Sequence, residues 1–111
     1  NPTWTHIQKN IVIHRFPDTN VTKEYSTYNG SNIKQADVNL LAYPLKMITD
    51  PKQVLNDLQY YVRRVPIQGT PAMTHAIFSL LYSRLGNASK AYSVFEYSFG
   101  NNMLKPFSVM A

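Results

Sequence analysis

Few side chains in these 111 residues can do chemistry, and their spacing decides which chemistry that would be. The carboxylates are Asp18, Glu24, Asp37, Asp50, Asp57 and Glu96. Hydrolysis across a glycosidic bond needs two carboxyls facing each other over a sugar, and no two of these carry that pattern. Asp50 precedes a proline and reads as a helix cap, while Asp57 and Glu96 read as solvated helix faces. Asp37 follows Lys34 by three residues and reads as half of an ion pair on one helix face. The histidines, His6, His14 and His75, fit no metal-ligand spacing. The chain has no cysteine, which excludes a disulfide scaffold, a thiolate metal site and a thiol nucleophile.

Two places remain. Lys34 and Gln35 follow a glycine turn and offer a charged donor beside an amide that both donates and accepts. That pair suits sugar hydroxyls, and it equally suits a solvated helix start. His75 lies in the first turns of a helix opened by Gly69-Thr70-Pro71, near backbone N–H groups that attract anions and oxygen-rich ligands. The plain alternative is a packed or surface histidine. Eight tyrosines, five phenylalanines and one tryptophan could fill a core or line a sugar pocket.

These residues need helices to hold them. A helix is expected over about 33–43, capped by Ser31 or Asn32, with Ile33, Ala36, Leu40 and Leu41 on one face and Pro44 ending it. A second is expected over about 51–64, opened by Asp50-Pro51 and striped by Val54, Leu58, Tyr61, Val62 and Val65. A third begins after Thr70-Pro71, with Met73, Ala76, Ile77, Leu80, Leu81 and Leu85 at helical spacing and Gly86 as its stop. A fourth runs over about 88–99 behind an Asn87 cap, and its short link to the third makes the two antiparallel neighbours. The first 30 residues read as irregular, with a short helix over 3–8, strand candidates at 11–13 and 21–25, and a turn at 28–31. The fold class is therefore mainly α with a short irregular or β-containing N-terminal stretch.

Charged residues make up only 15 % of the chain, against about 25 % in typical domains. Together with the Asn1-Pro2 start, that points to a piece of a larger protein with no internal domain boundary. The net charge of +5 is scattered, with only Arg63-Arg64 adjacent, so nucleic acid is not an expected partner. No run approaches the ~20 apolar residues of a membrane span. Three N-x-Ser/Thr sequons, at Asn20, Asn29 and Asn87, suggest a secreted, vacuolar or other secretory-pathway glycoprotein.

Three strings then carry a resemblance: Ile33-Lys34-Gln35-Ala36-Asp37-Val38 continuing to Tyr43-Pro44-Leu45, Gly69-Thr70-Pro71-Ala72-Met73-Thr74-His75, and Lys105-Pro106-Phe107. With Asn1-Pro2-Thr3-Trp4 near the start, they resemble glycoside hydrolase family 65, which includes acid trehalases, a collagen-glucoside hydrolase and disaccharide phosphorylases. The resemblance implies part of an (α/α)6 barrel and a parent enzyme, most like an acid trehalase, that cleaves an α-linked glucoside with inversion. It implies no metal and no cofactor. Lys34 and Gln35 match the pair that holds the glucose being cleaved, and Thr74 and His75 match positions on the nucleophile side. The general acid is expected well before this segment and the general base past Pro106-Phe107, beyond Ala111, so no catalytic residue is expected within it. The segment alone is then expected to be inactive and to need the remainder of its catalytic domain. The inverting disaccharide phosphorylase of the same family is the alternative: the loop Gln68 to Thr74 holds threonines and no serine cluster, which favours the hydrolase, while His75 matches a position where some phosphorylases also carry histidine. A free-standing helical binding module is the alternative from another class.

Overall fold

The structure, a computed structural model, describes residues 1–110. Four α-helices account for most of the regular structure: α1 (Pro2–Asn10), α2 (Pro51–Val62), α3 (Ala72–Arg84) and α4 (Ala88–Phe99). Short 3-10 turns cover Asp37–Leu41 and Gly100–Asn102. A two-stranded antiparallel ribbon of β1 (Met103–Leu104) and β2 (Val109–Met110) follows, in register Met103 to Met110 and Leu104 to Val109. The architecture is mainly α.

Local sequence explains the starts of α2 and α4. The Asp50 carboxylate accepts from the Lys52 N–H at 3.2 Å and Pro51 occupies the first turn of α2, where its missing N–H costs nothing. Asn87 opens α4 in the same way, its Oδ1 accepting from the Lys90 N–H at 3.1 Å. Helices α3 and α4 meet in opposite order: Lys90 lies over the Tyr82 ring, Ser79 donates to the Ala91 carbonyl, and Tyr97 packs on His75. They are an antiparallel pair joined by Leu85-Gly86-Asn87. The core sits where this pair meets α2 and the 36–48 segment, with Leu58, Tyr61, Phe78, Leu81, Val38 and Ile48 buried.

Four expectations are corrected. The helix over 33–43 contracts to the 3-10 turn Asp37–Leu41, because backbone donors at Ile33, Asp37 and Val38 are taken by other parts of the fold. Thr70 does not cap α3; its hydroxyl donates to the Pro66 carbonyl, Pro71 takes the cap position, and the helix begins at Ala72. The candidate strands at 11–13 and 21–25 form none. Ile11, Val12 and Ile13 are exposed, and a single bridge joins Arg15 to Thr22, with Phe16 donating to the Val21 carbonyl at 2.9 Å. Asp57, expected on a solvated face, is only 3 % exposed. The predicted short N-terminal helix is present and slightly longer, but it buries no residue.

Candidate functional site

Lys34 and Gln35 sit on a strap of irregular backbone, not on a helix. Both are exposed, while Ala36 beside them is buried and Ile33 is half-buried. The strap is pinned at both ends. Upstream, the Ile33 N–H donates to the Arg64 carbonyl at 3.0 Å, and the Arg64 guanidinium donates from Nε to the Gly30 carbonyl at 2.9 Å. That guanidinium also donates to the Tyr60 carbonyl at 3.0 Å and lies 3.4 Å from the Tyr60 ring centre. Downstream, both oxygens of Glu24 accept from the opening N–H groups of the 3-10 turn, Asp37 to Oε1 at 2.8 Å and Val38 to Oε2 at 3.3 Å. No side chain within the turn's own start caps it. The expected Lys34 to Asp37 helix pair is replaced: the Asp37 carboxylate accepts from the Gln35 amide at 3.1 Å.

Electrostatics at Glu24 follow from this geometry. Burial pushes its carboxyl pKa up from the usual 4.5, the two backbone donors pull it down, and the nearby Asp37 charge adds a smaller upward push.

Beneath the strap, α2 holds the 14–24 loop through a polar network. Asp57 Oδ1 accepts from the Thr22 N–H at 2.8 Å and from the Gln53 amide at 2.9 Å, and Oδ2 accepts from the Thr22 hydroxyl at 2.8 Å. Gln53 also bonds both the side chain and the carbonyl of Asn20. The Tyr61 hydroxyl donates to the Thr22 carbonyl at 2.6 Å. This loop in turn carries Glu24. The hydroxyl and the amide of the Asn20 sequon are thus engaged in the fold, whereas Asn29 and Asn87 are exposed with exposed serines two residues on.

Thr74 and His75 lie on the first turns of α3 and are both buried. The His75 ring packs against Phe78 and Tyr97, with centroids 6.0 and 5.7 Å away. Its Nε2 is buried without a hydrogen-bond partner. Burial lowers its pKa below the usual 6.5, against a smaller upward pull from the Pro66 carbonyl, so it is neutral at pH 7. Helix α3 packs on the Asp37–Leu41 turn, which puts the two residue pairs on neighbouring elements. A cavity of about 440 Å³ lies elsewhere, between Ala42, Lys46, Ile48, Val54, Leu81 and Arg84. Among the described residues no cluster of three or more acidic or histidine ligands could hold a metal, and no helix is long and apolar enough to cross a membrane. The general base expected past Pro106-Phe107 falls outside the described residues.

Sequence reasoning missed Glu24 and Arg64. Glu24 is thirteen residues from the turn it caps, and Arg64 is thirty-four from Gly30, so no local spacing signals either contact.

The chain is similar to part of several known glycosidases. Over 111 residues the chain is 59 % identical to a kojibiose hydrolase of Mucilaginibacter mallensis, covering all of this chain and 16 % of that protein. It is 38 % identical to a cell wall acid trehalase of Arthroderma benhamiae, over 96 % of this chain and 10 % of the relative. It is also 38 % identical to a protein-glucosylgalactosylhydroxylysine glucosidase of Danio rerio, over 97 % of this chain and 16 % of the relative. The chain is homologous to one segment of these glycosidases. That agrees with the family 65 resemblance carried by its motifs. No protein-family model matches the chain. The chain spans about a sixth or less of the length of these curated relatives. Its identity to the kojibiose hydrolase exceeds that to the acid trehalase.

Proposed function

We propose that the parent protein is an inverting hydrolase of an α-linked glucoside, and that this segment binds the glucose being released through Lys34 and Gln35. The observation that carries the reading is the strap. Two adjacent polar side chains are exposed, while the backbone on either side is fixed by Arg64 and Glu24. An ammonium and an amide carried on fixed backbone can meet neighbouring sugar hydroxyls without first losing the freedom of the chain that bears them. The glycosidase relatives support the substrate class, and the order of identities favours a kojibiose-type disaccharide over trehalose. Thr74 and His75, on the neighbouring α3, are proposed residues of the nucleophile side, buried beneath it within this segment. The remainder of an (α/α)6 catalytic domain is the proposed partner, supplying both catalytic carboxylates and leaving the isolated segment inactive. The sequons and the cell-wall trehalase relative support a secreted or vacuolar location.

The test is steady-state kinetics of the full-length enzyme on kojibiose and on trehalose. Lys34→Ala and Gln35→Ala are each expected to lower kcat/KM by roughly 10- to 100-fold, as loss of a hydrogen bond worth ~1.5–3 kcal/mol requires. Wild-type values in both variants overturn the assignment. Turnover that requires phosphate and releases a sugar phosphate overturns hydrolysis.

A further inference from the structure

We infer that Glu24 is a positioning residue for sugar binding, acting through Lys34 and Gln35, an inference that rests on the proposed role of that pair. Glu24 is ten residues before the motif in sequence, yet its carboxylate takes both N–H groups that open the 3-10 turn, separated from Gln35 by Ala36 alone. The turn has no cap of its own, and Ala36 at its head is extended rather than helical. Without the carboxylate, the Asp37 and Val38 donors must find water, and the exit of the strap is no longer fixed. At the other end Arg64 still holds Ile33 and Gly30. Loss of Glu24 therefore frees one end of a short span whose side chains must stay in place.

Glu24 is itself held. Its loop is fastened to α2 through Thr22, whose N–H and hydroxyl both end on Asp57 and whose carbonyl accepts from Tyr61. A chain of direct hydrogen bonds thus runs from the core helix α2 through Thr22 to the loop bearing Glu24, and from Glu24 to the backbone beside Gln35. The Gln35 amide adds a bond to the Asp37 side chain at the same turn. Charge is part of the fit, because a carboxylate presents two acceptors to two donors and is favoured at the N–H end of a helical turn.

The experiment is a double-mutant cycle in the full-length enzyme, crossing Glu24→Ala with the pair Lys34→Ala/Gln35→Ala, read as kcat/KM on kojibiose. Glu24→Ala alone is expected to lower kcat/KM about tenfold, mostly through KM. Added to the paired variant, it is expected to cost less than twofold more, because the contacts it positions are already gone. Glu24→Gln keeps one carbonyl acceptor and is expected to recover most of the loss. If Glu24→Ala does not fold, the same cycle is run with Glu24→Gln, which is expected to show a smaller effect with the same non-additivity. Full multiplicative losses in the cycle, or no loss on mutating Glu24, overturn the positioning role while leaving the sugar contacts standing. A paired variant with wild-type kinetics overturns the sugar contacts, and this inference with them.

Discussion

Asp57 shows how a residue's meaning depends on what faces it. It lies in α2 three residues after Val54 and four before Tyr61, at the edge of the apolar stripe, where the 14–24 loop folds over it and supplies two donors from Thr22 while Gln53 of α2 supplies a third. Burial raises its pKa above the usual 3.8, with the Thr22 and Gln53 donors pulling the other way. The folded state then binds a proton more tightly than the unfolded one. Stability from this group therefore falls as pH rises from the unfolded value through the folded one, and is regained on acidification. Asp57→Asn keeps the shape and removes the charge. The melting temperature of Asp57→Asn relative to wild type is expected to be most favourable at pH 7 and to lose that advantage toward pH 4. A difference that grows on acidification would sink this account. Asp57→Ala leaves the Thr22 donors unpaired and is expected to cost about 2–4 kcal/mol in chemical denaturation at pH 7. His75 has the opposite dependence, since burial lowers its pKa: its contribution is kept above about pH 6.5 and lost as pH falls below that.

At the scale of elements, the helices with their own start signals were legible and the strap was not. Asp50-Pro51 and Asn87 cap α2 and α4 as local chemistry dictates, and the apolar stripe of α2 selects the face that packs, whereas α3 buries Thr74, His75, Phe78, Leu81 and Tyr82 and leaves Met73 and Ala76 of its expected stripe exposed. The strap defied the same reasoning because its backbone partners are remote in sequence. Helical periodicity over 33–43 is real, yet tertiary donors and acceptors override it. Lys34 and Gln35 stand out in the sequence as a polar pair, but what fixes their backbone does not. Gly30 shows how tightly the strap's approach is fixed. Its φ is +94°, and a Cβ there would lie 2.7 Å from the Tyr60 hydroxyl. Gly30→Ala is expected to lose about 1–3 kcal/mol from backbone strain alone. It should also lower kcat/KM of the full-length enzyme, because the displaced Tyr60 carries the Arg64 guanidinium on its face. Unchanged stability and kinetics in Gly30→Ala would mean that this end of the strap is loose.

For the whole molecule, surface is the telling quantity. The chain exposes 7593 Å², whereas a compact 12.7 kDa monomer exposes roughly 6,200 Å². Its radius of gyration is 15.7 Å, against about 13 Å for a compact chain of this length. Much of the excess is apolar: Trp4 and Ile7 on α1, and Tyr92, Phe95 and Phe99 on α4, are all exposed. The low charge fraction fits such faces. The isolated 111 residues are expected to bind a hydrophobic dye and self-associate at micromolar concentration, and the full-length protein is expected to do neither. A monodisperse, dye-silent fragment would favour a free-standing module. Helix α1, nine residues long and with nothing buried, is below the length at which a lone helix persists in water, so circular dichroism of the fragment should lack its contribution. Transplanted into another helical scaffold, the string Ile33 to Val38 would arrive without the acceptors on which its backbone relies. A designer would have to move residues 24 to 38 together with Arg64, because the portable unit of this motif is a piece of folded surface and not a run of letters.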